Sequence, residues 1–270
     1  MLRIPLKTDD KYSRGVVGFV TGSLEYPGAA VLGVSAAYRT GVGLVRYVGP
    51  ASVGDLVLRS RPEVVLGTGR VHAWVLGSGI SVLNRSSATE QSIRDAFNAN
   101  VPVVVDAGAL DLVTDLGDAQ HVVITPHAAE LSRLMTVVTG RPSEWSIDMI
   151  HRDPLGAAGR VADELGVIVS LKGHVTYIAT PTAGDVRTEF QVTSPTTWLA
   201  SAGTGDVLAG MMGAILATAQ PTTRADVAKC VAAAVYLHGR AAADASAGGP
   251  IAALDVVDAI PSVVREVLAA

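Results

Sequence analysis

The stretch "GVVGFVTGSLEYPGAAVLGVSAAYRTGVGLVRYVG", residues 15–49, decides the fold. Its first part, "GVVGFVTG" (15–22), is an unbroken run of apolar and β-branched residues. A strand that does not alternate with polar residues is buried on both faces. "PGAAVLGVSAAYRTG" (27–41) reads as a helix, with Pro27 near its start and Gly41 near its end. "GLVRYVG" (43–49) is a strand again. A strand, a helix and a second buried strand in succession predict a parallel sheet covered by helices on both faces.

The rest of the chain repeats that alternation. "AWVLGSG" (73–79) predicts a strand running into a glycine turn, and Ser87 and Glu90 have capping-box spacing ahead of "QSIRDAFNA". "PVVVDAG" (102–108) and "HVVITPH" (121–127) predict two more strands, the second followed by helical "AAELSRLM"; a longer helix fits 153–165. "VIVSLKG" (167–173) and "VTYIAT" (175–180) predict strands joined by a tight turn, and "VRTEFQV" (186–192) an edge strand. From Gly205 onward the chain reads as three helical segments. No internal repeat or low-complexity linker interrupts the pattern, so residues 1–270 are expected to form a single domain. In open α/β sheets ligands sit beyond the carboxyl ends of the strands. Asp106, Thr125–His127 and Lys172–Thr176 lie there.

Composition narrows the function classes. Hydrophobic residues make up 49% of the 270 and charged residues 17%, enough to bury a sizeable core. A net charge of −4 argues against a general nucleic-acid binder. Cys230 is the single cysteine, which excludes a disulfide framework and implies a cytoplasmic setting. No apolar run reaches the roughly 18 residues of a membrane span, and "MLRIPLKTDD" has no secretory character. There is no Walker A loop, no GxSxG elbow and no zinc-spaced His/Cys cluster; "GSGISV" (77–82) has Val82 where a dinucleotide fingerprint needs glycine.

What remains is a set of strand-end turns. In "SAGTGDVLAG" (201–210), Gly203 and Gly205 allow a tight turn that brings N–H groups toward a ligand, and the following helix adds its positive dipole end. Asp206 in that loop is either a helix cap or a functional carboxylate. In "LKGHVT" (171–176), Lys172 supplies a point charge for phosphate and Thr176 a hydroxyl, or both are ordinary hairpin residues. In "TPHAAE" (125–130), His127 stands near a helix start, as a cap or as a ligand contact. Gly28, Ala29 and Gly79 are small residues at strand-to-helix turns, where a large ligand can approach. His238, in "VYLHGRAA", reads as a satisfied structural histidine.

Together these turns resemble the NAD(P)H-hydrate dehydratase family of the ribokinase-like superfamily. The pieces that match are "KYSRGVVGFVTGSLEYPGAAVLGVSAAYRTGVGLV", "VLGSGI", "PVVVDAGAL", "ITPHAAELSRL", "SLKGHVTYIATP", "SAGTGDVLAGMMGAILA" and "AAVYLHGRAA", in the family's order over residues 11–260. The GTGD loop alone marks the superfamily; the combination is specific. The resemblance implies a ribokinase-like three-layer α/β/α sandwich, with a central mostly parallel sheet and no separate lid. It implies an enzyme that spends a nucleotide phosphoryl group to remove water from the S-form of hydrated NADH or NADPH, releasing AMP and phosphate, with ADP (or ATP) as donor and Mg2+ assisting. It carries Asp206 over as the base; Gly203, Thr204 and Gly205 as the phosphate loop; Lys172, Gly173, His174, Val175, Thr176 and Gly205 as nucleotide contacts; and Ala29, Gly79, His127 and Asp206 as contacts to the hydrated cofactor. Glu130 is a candidate for positioning water or magnesium, or a first-turn partner of the helix dipole. Relatives are homo-oligomers, often tetramers. Many carry a fused epimerase, which for this chain is expected on a separate polypeptide.

Two places depart from the family pattern. Gly108, in "DAGAL" (106–110), stands where many relatives have a second aspartate, and Thr196, Thr197 and Trp198 replace an "NPG"-type segment. Trp198 would either stack on a ligand ring or fill the core. A small-molecule kinase of the same superfamily and an inactive nucleotide-binding sensor are the competing readings; the first predicts a stable phosphorylated product, the second binding without reaction.

Overall fold

Strand β1 (Val16–Val20) sends alternate side chains to opposite faces: Val17 and Phe19 enter one apolar core, Val16 and Val20 another. That two-sided burial is why the sequence shows no polar alternation there. The structure, a computed structural model, describes residues 2, 4–116, 119 and 121–269. Helix α1 (Gly28–Thr40) follows β1, starts behind Pro27 and ends at Gly41 in the left-handed conformation, φ 110°. The remaining strands are β2 (Leu44–Tyr47), β3 (Val65–Leu66), β4 (Ala73–Leu76), β5 (Val103–Val105), β6 (Val122–Ile124), β7 (Ile168–Leu171), β8 (Val175–Ala179) and β9 (Glu189–Thr193).

The described strands form one nine-stranded sheet of order β3-β2-β1-β4-β5-β6-β7-β8-β9. Pairing is parallel as far as β7 and antiparallel for β7–β8 and β8–β9. As expected of an edge, β9 alternates exposed and half-buried residues. The chain runs from β1 outward to β2 and β3, then returns to β4 on the other side of β1. The carboxyl ends of β1 and β4 therefore flank a topological switch point, where ligands bind in such sheets.

Helices α2 (Ala51–Ser60), α7 (Thr204–Ala219), α8 (Arg224–Ser246) and α9 (Ala253–Ala269) join α1 on one face. Helices α3 (Ser87–Phe97), α4 (Ala128–Thr139), α5 (Ile147–Arg152) and α6 (Pro154–Leu165) cover the other. The result is the three-layer sandwich the alternation predicts. Helix α7 is buried nearly all round from Val207 to Ala217, so it shows no amphipathic stripe. It crosses α1 with the backbones in contact: a Cβ on Gly210 would lie 2.1 Å from the Gly33 carbonyl oxygen. That approach sets the start of α7, with its glycine loop, beside the start of α1.

Several elements depart from the sequence reading. Helix α2, strand β3, helix α5 and a 3-10 segment over Ala107–Asp115 were not anticipated. The cap of α3 is Ser86, one residue before the expected Ser87; its hydroxyl accepts from the Thr89 amide. Glu90 instead binds Arg85 and Arg94. Those two guanidiniums offer charge-assisted bonds that a backbone amide cannot match.

Candidate active site

Beyond the carboxyl ends of β5, β6 and β7, three polar segments converge. The pairing of β6 with β7 continues past both strands, with Lys172 N–H donating to the Pro126 carbonyl at 2.8 Å, so His127 and Lys172 stand side by side. The Lys172 ammonium reaches Asp106 at the end of β5, Nζ to Oδ1 2.5 Å. Asp106 is 4% exposed. Its Oδ1 also accepts from the Thr125 hydroxyl at 2.8 Å, and its Oδ2 from the Ser78 hydroxyl at 3.0 Å. Burial would push its pKa up, but the Lys172 charge and these hydrogen bonds outweigh burial and hold it below the usual carboxylate value. For Lys172, burial favours the neutral amine, and the charges of Asp106, Glu130 and Asp206 overcome it, holding the ammonium above its ordinary pKa.

Asp206 is the opposite case. It is not the cap of α7: that position is Gly203, in the left-handed conformation at φ 87° with no side-chain capping bond, and Asp206 falls in the first turn. Its pKa is raised to about 6, first by burial and then by the charge of Asp106, with Lys172 opposing. A lone carboxylate of ordinary pKa would be a poor base; this one is poised near neutrality. Gly203 has no room for a side chain, since its Cβ would meet Leu32 Cδ1 at 2.6 Å. A Cβ on Gly205 would instead point toward Lys172, 3.8 Å from Nζ. The loop thus turns its Gly205 side to the cation and packs its Gly203 side on α1.

A cavity of about 680 Å3 opens beside this cluster. His127, Lys172, Gly173, His174, Thr176, Thr204 and Gly205 are among its polar lining. Val192, Leu199, Leu208 and Val235 give it apolar walls, and His238 and Gly239 of α8 also line it. Val175 does not line it: the side chains of β8 alternate, and Val175 falls on the opposite phase from Thr176. Asp206 and Gly203 are also outside the lining, at the cavity's border on the α1 side. Thr176 is buried, its hydroxyl turned to the Gly173 carbonyl at 3.5 Å.

The remaining candidates sort as follows. Ala29 and Gly79 meet at the switch point, where a Cβ on Gly79 (φ 67°) would lie 2.4 Å from that of Ala29; Gly28 beside them faces open space. They lie outside the cavity lining. His127 is a helix cap in geometry: its Nδ1 accepts from the Glu130 amide at 3.3 Å while Glu130 Oε2 accepts from the His127 amide at 2.9 Å. Both residues hold that reciprocal box beside Lys172. Among the described residues no three His, Cys, Asp or Glu side chains group as metal ligands. Gly108 cannot carry an aspartate on this backbone, because its Cβ would lie 2.0 Å from the Ile80 carbonyl oxygen. Trp198 does not fill the core: it is 44% exposed, and its Nε1–H donates to the Gly248 carbonyl at 3.2 Å. His238 is buried but not satisfied, since its Nε2 has no hydrogen-bond partner on the alanine-rich α8. The apolar walls of the cavity were not legible in sequence, because Val192, Leu199, Leu208 and Val235 come from four separate segments and carry no motif.

The mostly parallel sheet between two helical layers, with a glycine loop opening a buried helix beside the cavity, is a ribokinase-like α/β/α fold. The solved structures most like it include the ADP/ATP-dependent NAD(P)H-hydrate dehydratase of Bacillus subtilis co-crystallised with ATP and Mg2+, with TM-score 0.83 and 26% identity, over 98% of this chain and 94% of that one. A ribokinase-like superfamily protein of Enterococcus faecalis shares the fold with TM-score 0.79 and 23% identity, over 97% of this chain and 91% of that one.

The chain belongs to the NAD(P)H-hydrate dehydratase family, whose profile matches residues 17–262. It is 40% identical over 232 residues to a bifunctional NAD(P)H-hydrate repair enzyme of Mycobacterium tuberculosis, covering 82% of this chain and 45% of that protein. It is 31% identical over 245 residues to the ADP-dependent (S)-NAD(P)H-hydrate dehydratase of Neisseria meningitidis, covering 84% of this chain and 76% of that protein. The chain thus spans about half the length of the first of these relatives. No helix among the described residues is long and apolar enough to cross a membrane.

Proposed function

We propose that this chain, acting as a single domain, removes water from the S-form of hydrated NADH or NADPH at the expense of a nucleotide, with ADP the donor and ATP an alternative. The observation that carries the reading is Asp206: a carboxylate with pKa near 6, in the first turn of a glycine-opened helix whose Thr204 and Gly205 line a nucleotide-sized cavity.

The nucleotide lies in the cavity with its base against the apolar walls and its phosphates toward Lys172, Gly173 and the amides of Thr204 and Gly205. A volume of about 680 Å3 suits one nucleotide, and the hydrated cofactor is assigned to the turn of Ala29 and Gly79, with His127 reaching it from the cavity lining. Asp206 accepts the proton of the hydrate hydroxyl as that oxygen attacks the terminal phosphorus, and AMP leaves when ADP is the donor. Phosphoryl transfer passes through a loose transition state, so positioning and charge stabilisation dominate, which Lys172 and the loop amides supply. The ring nitrogen lone pair then expels phosphate, and loss of a ring proton restores the double bond. Mg2+ would neutralise charge on the phosphates, held by them together with Glu130; a nucleotide-borne ion commonly needs only one or two carboxylates. Asp106 is already committed to Lys172, Thr125 and Ser78, and holds the cation rather than a metal.

A cytoplasmic setting, a homotetramer and an epimerase that supplies the S-form belong to the same proposal. The test is to give the protein chemically hydrated NADH with ADP or ATP and follow the return of nicotinamide absorbance. Nucleotide-dependent recovery supports the reading. A stable phosphorylated hydrate with no recovery, or no consumption of nucleotide, overturns it.

A further inference from the structure

We propose that Trp198 is a positioning residue for the nucleotide: its indole N–H pins the outer wall of the cavity to the end of α8, and affinity for ADP depends on that bond. The assignment rests on the nucleotide reading given above and names a side chain outside the cavity that holds it in shape.

The wall is the link between β9 and α7. Thr196, Thr197, Leu199 and Ala200 of this link line the cavity, and Trp198 in their midst does not. Residues 194–201 are all exposed or half-buried, so solvent lies on the wall's other side. A surface segment of this kind has no core to fix it, and its place depends on the bonds at its edges. At one edge the Ser194 N–H donates to the His174 carbonyl at 2.9 Å. Pro195 packs on α8 where residue 239 is glycine: a Cβ there would be 3.0 Å from Pro195 Cδ. At the other edge the Thr204 hydroxyl lies 2.9 Å from the carbonyls of both Leu199 and Ser201. Between these edges Trp198 supplies the tie. Its Nε1–H donates to the Gly248 carbonyl at 3.2 Å, about two turns beyond Gly239 along α8.

Both partners are held for this bond. The Trp198 backbone N–H donates to the Thr196 hydroxyl at 3.2 Å, and the Ser194 hydroxyl donates to the Thr196 carbonyl at 2.7 Å, so the wall is braced from Ser194 to Trp198. On the helix side, Ala247 and Gly248 turn the chain with φ 43° and 92°. The Ser246 hydroxyl closes that turn on the Gly249 carbonyl at 2.6 Å. The acceptor is thus fixed by the end of α8, and the wall takes its position from it. Trp198 is exposed and belongs to neither apolar core, so replacing it leaves the interior intact. A nucleotide that meets a wall already in place loses less entropy on binding. Linkage makes the effect reciprocal: a bond that tightens nucleotide binding is itself protected by the nucleotide, by the same factor.

The experiment is calorimetric titration of wild type and Trp198→Phe with ADP, together with indole hydrogen exchange of wild type followed by NMR. Trp198→Phe keeps an aromatic ring and removes the donor. It should bind ADP about three- to tenfold more weakly and raise KM for the nucleotide by a like factor, with KM for the hydrated cofactor changed by less than about twofold. A tryptophan with a merely structural role would instead lower the melting temperature and leave ADP affinity unchanged, which overturns the assignment. In wild type the Trp198 indole proton is recognised as the one most broadened by a soluble relaxation agent, since Trp74 and Trp145 are buried. It should exchange about three- to tenfold more slowly with ADP bound. Exchange that ADP does not slow overturns the assignment as well, and this measurement decides it should the Phe variant fail to fold. Binding of neither ADP nor ATP by wild type would overturn the nucleotide reading and this assignment with it, whereas equal ADP affinity in the two proteins overturns this assignment alone.

Discussion

Lys172 Nζ lies 2.5 Å from Asp106 Oδ1, and Asp206 lies close enough to feel both charges. One cation thus serves two carboxylates with different tasks: it holds Asp106 ionised and moderates the raised pKa of Asp206. Breaking a buried pair by removing one partner costs about 3–5 kcal/mol. Asp106→Asn should destabilise the protein by that order in urea unfolding, with phosphate-end affinity falling as Lys172 loses its anchor. A loss under about 1 kcal/mol would mean the pair contributes little.

The pKa of Asp206 predicts a pH profile. As the base it must be ionised, so kcat/KM should fall as pH drops through about 6, where an unperturbed carboxylate would titrate near 3.8. Lys172→Gln removes the charge that opposes the shift, and should move this limb to higher pH besides weakening nucleotide binding. A limb that stays in place would separate Lys172 from Asp206.

Stability carries the complementary sign. A carboxyl whose folded pKa is raised imposes no ionic penalty below about 3.8, and imposes the full penalty above about 6. Asp206→Asn should therefore abolish turnover, retain nucleotide binding, and stabilise the fold by about 1–2 kcal/mol at pH 8. The gain should vanish near pH 3.5. Thermal melts of both proteins at the two pH values check it.

The two loop glycines should fail differently. Gly203→Ala forces a left-handed residue with its Cβ against Leu32, costing about 1–3 kcal/mol of stability. Gly205→Ala meets only ordinary contact near Lys172, and the helix gains slightly from alanine. Its cost should fall on nucleotide affinity, by about tenfold, measured by titration alongside melting temperature.

Gly108→Asp should not create a second functional carboxylate. Its Cβ would collide with the Ile80 carbonyl, so a loss of about 2–4 kcal/mol in unfolding free energy is expected. A folded, more active variant would show that the segment over Ala107–Asp115 can move aside.

The parallel sheet, its covering helices and the final antiparallel hairpin were legible because buried strands lack alternation and because Pro27 and Gly41 punctuate α1. Helix α2 and strand β3 were missed: α2 is short, and the two residues of β3 are exposed and carry no pattern of their own. Among the candidate residues, the sequence placed Lys172 and His127 at strand ends and Gly203, Gly205 and Asp206 at a helix start, where the structure has them. Val175 lies outside the cavity lining, because membership of a motif does not tell which face of a strand a residue takes.

The sequence by itself determined the alternation of strands and helices, the glycine turn before α7 and the order of the polar segments, since each depends on a few neighbouring residues. Tertiary structure decided the state of those groups. Asp206 titrates near 6 because burial and Asp106, a hundred positions earlier in the chain, raise its proton affinity. His238 is unsatisfied because α8 sets it against apolar walls from other segments. Proton affinity and unpaired polarity depend on what surrounds a group, and that surround comes from distant parts of the chain.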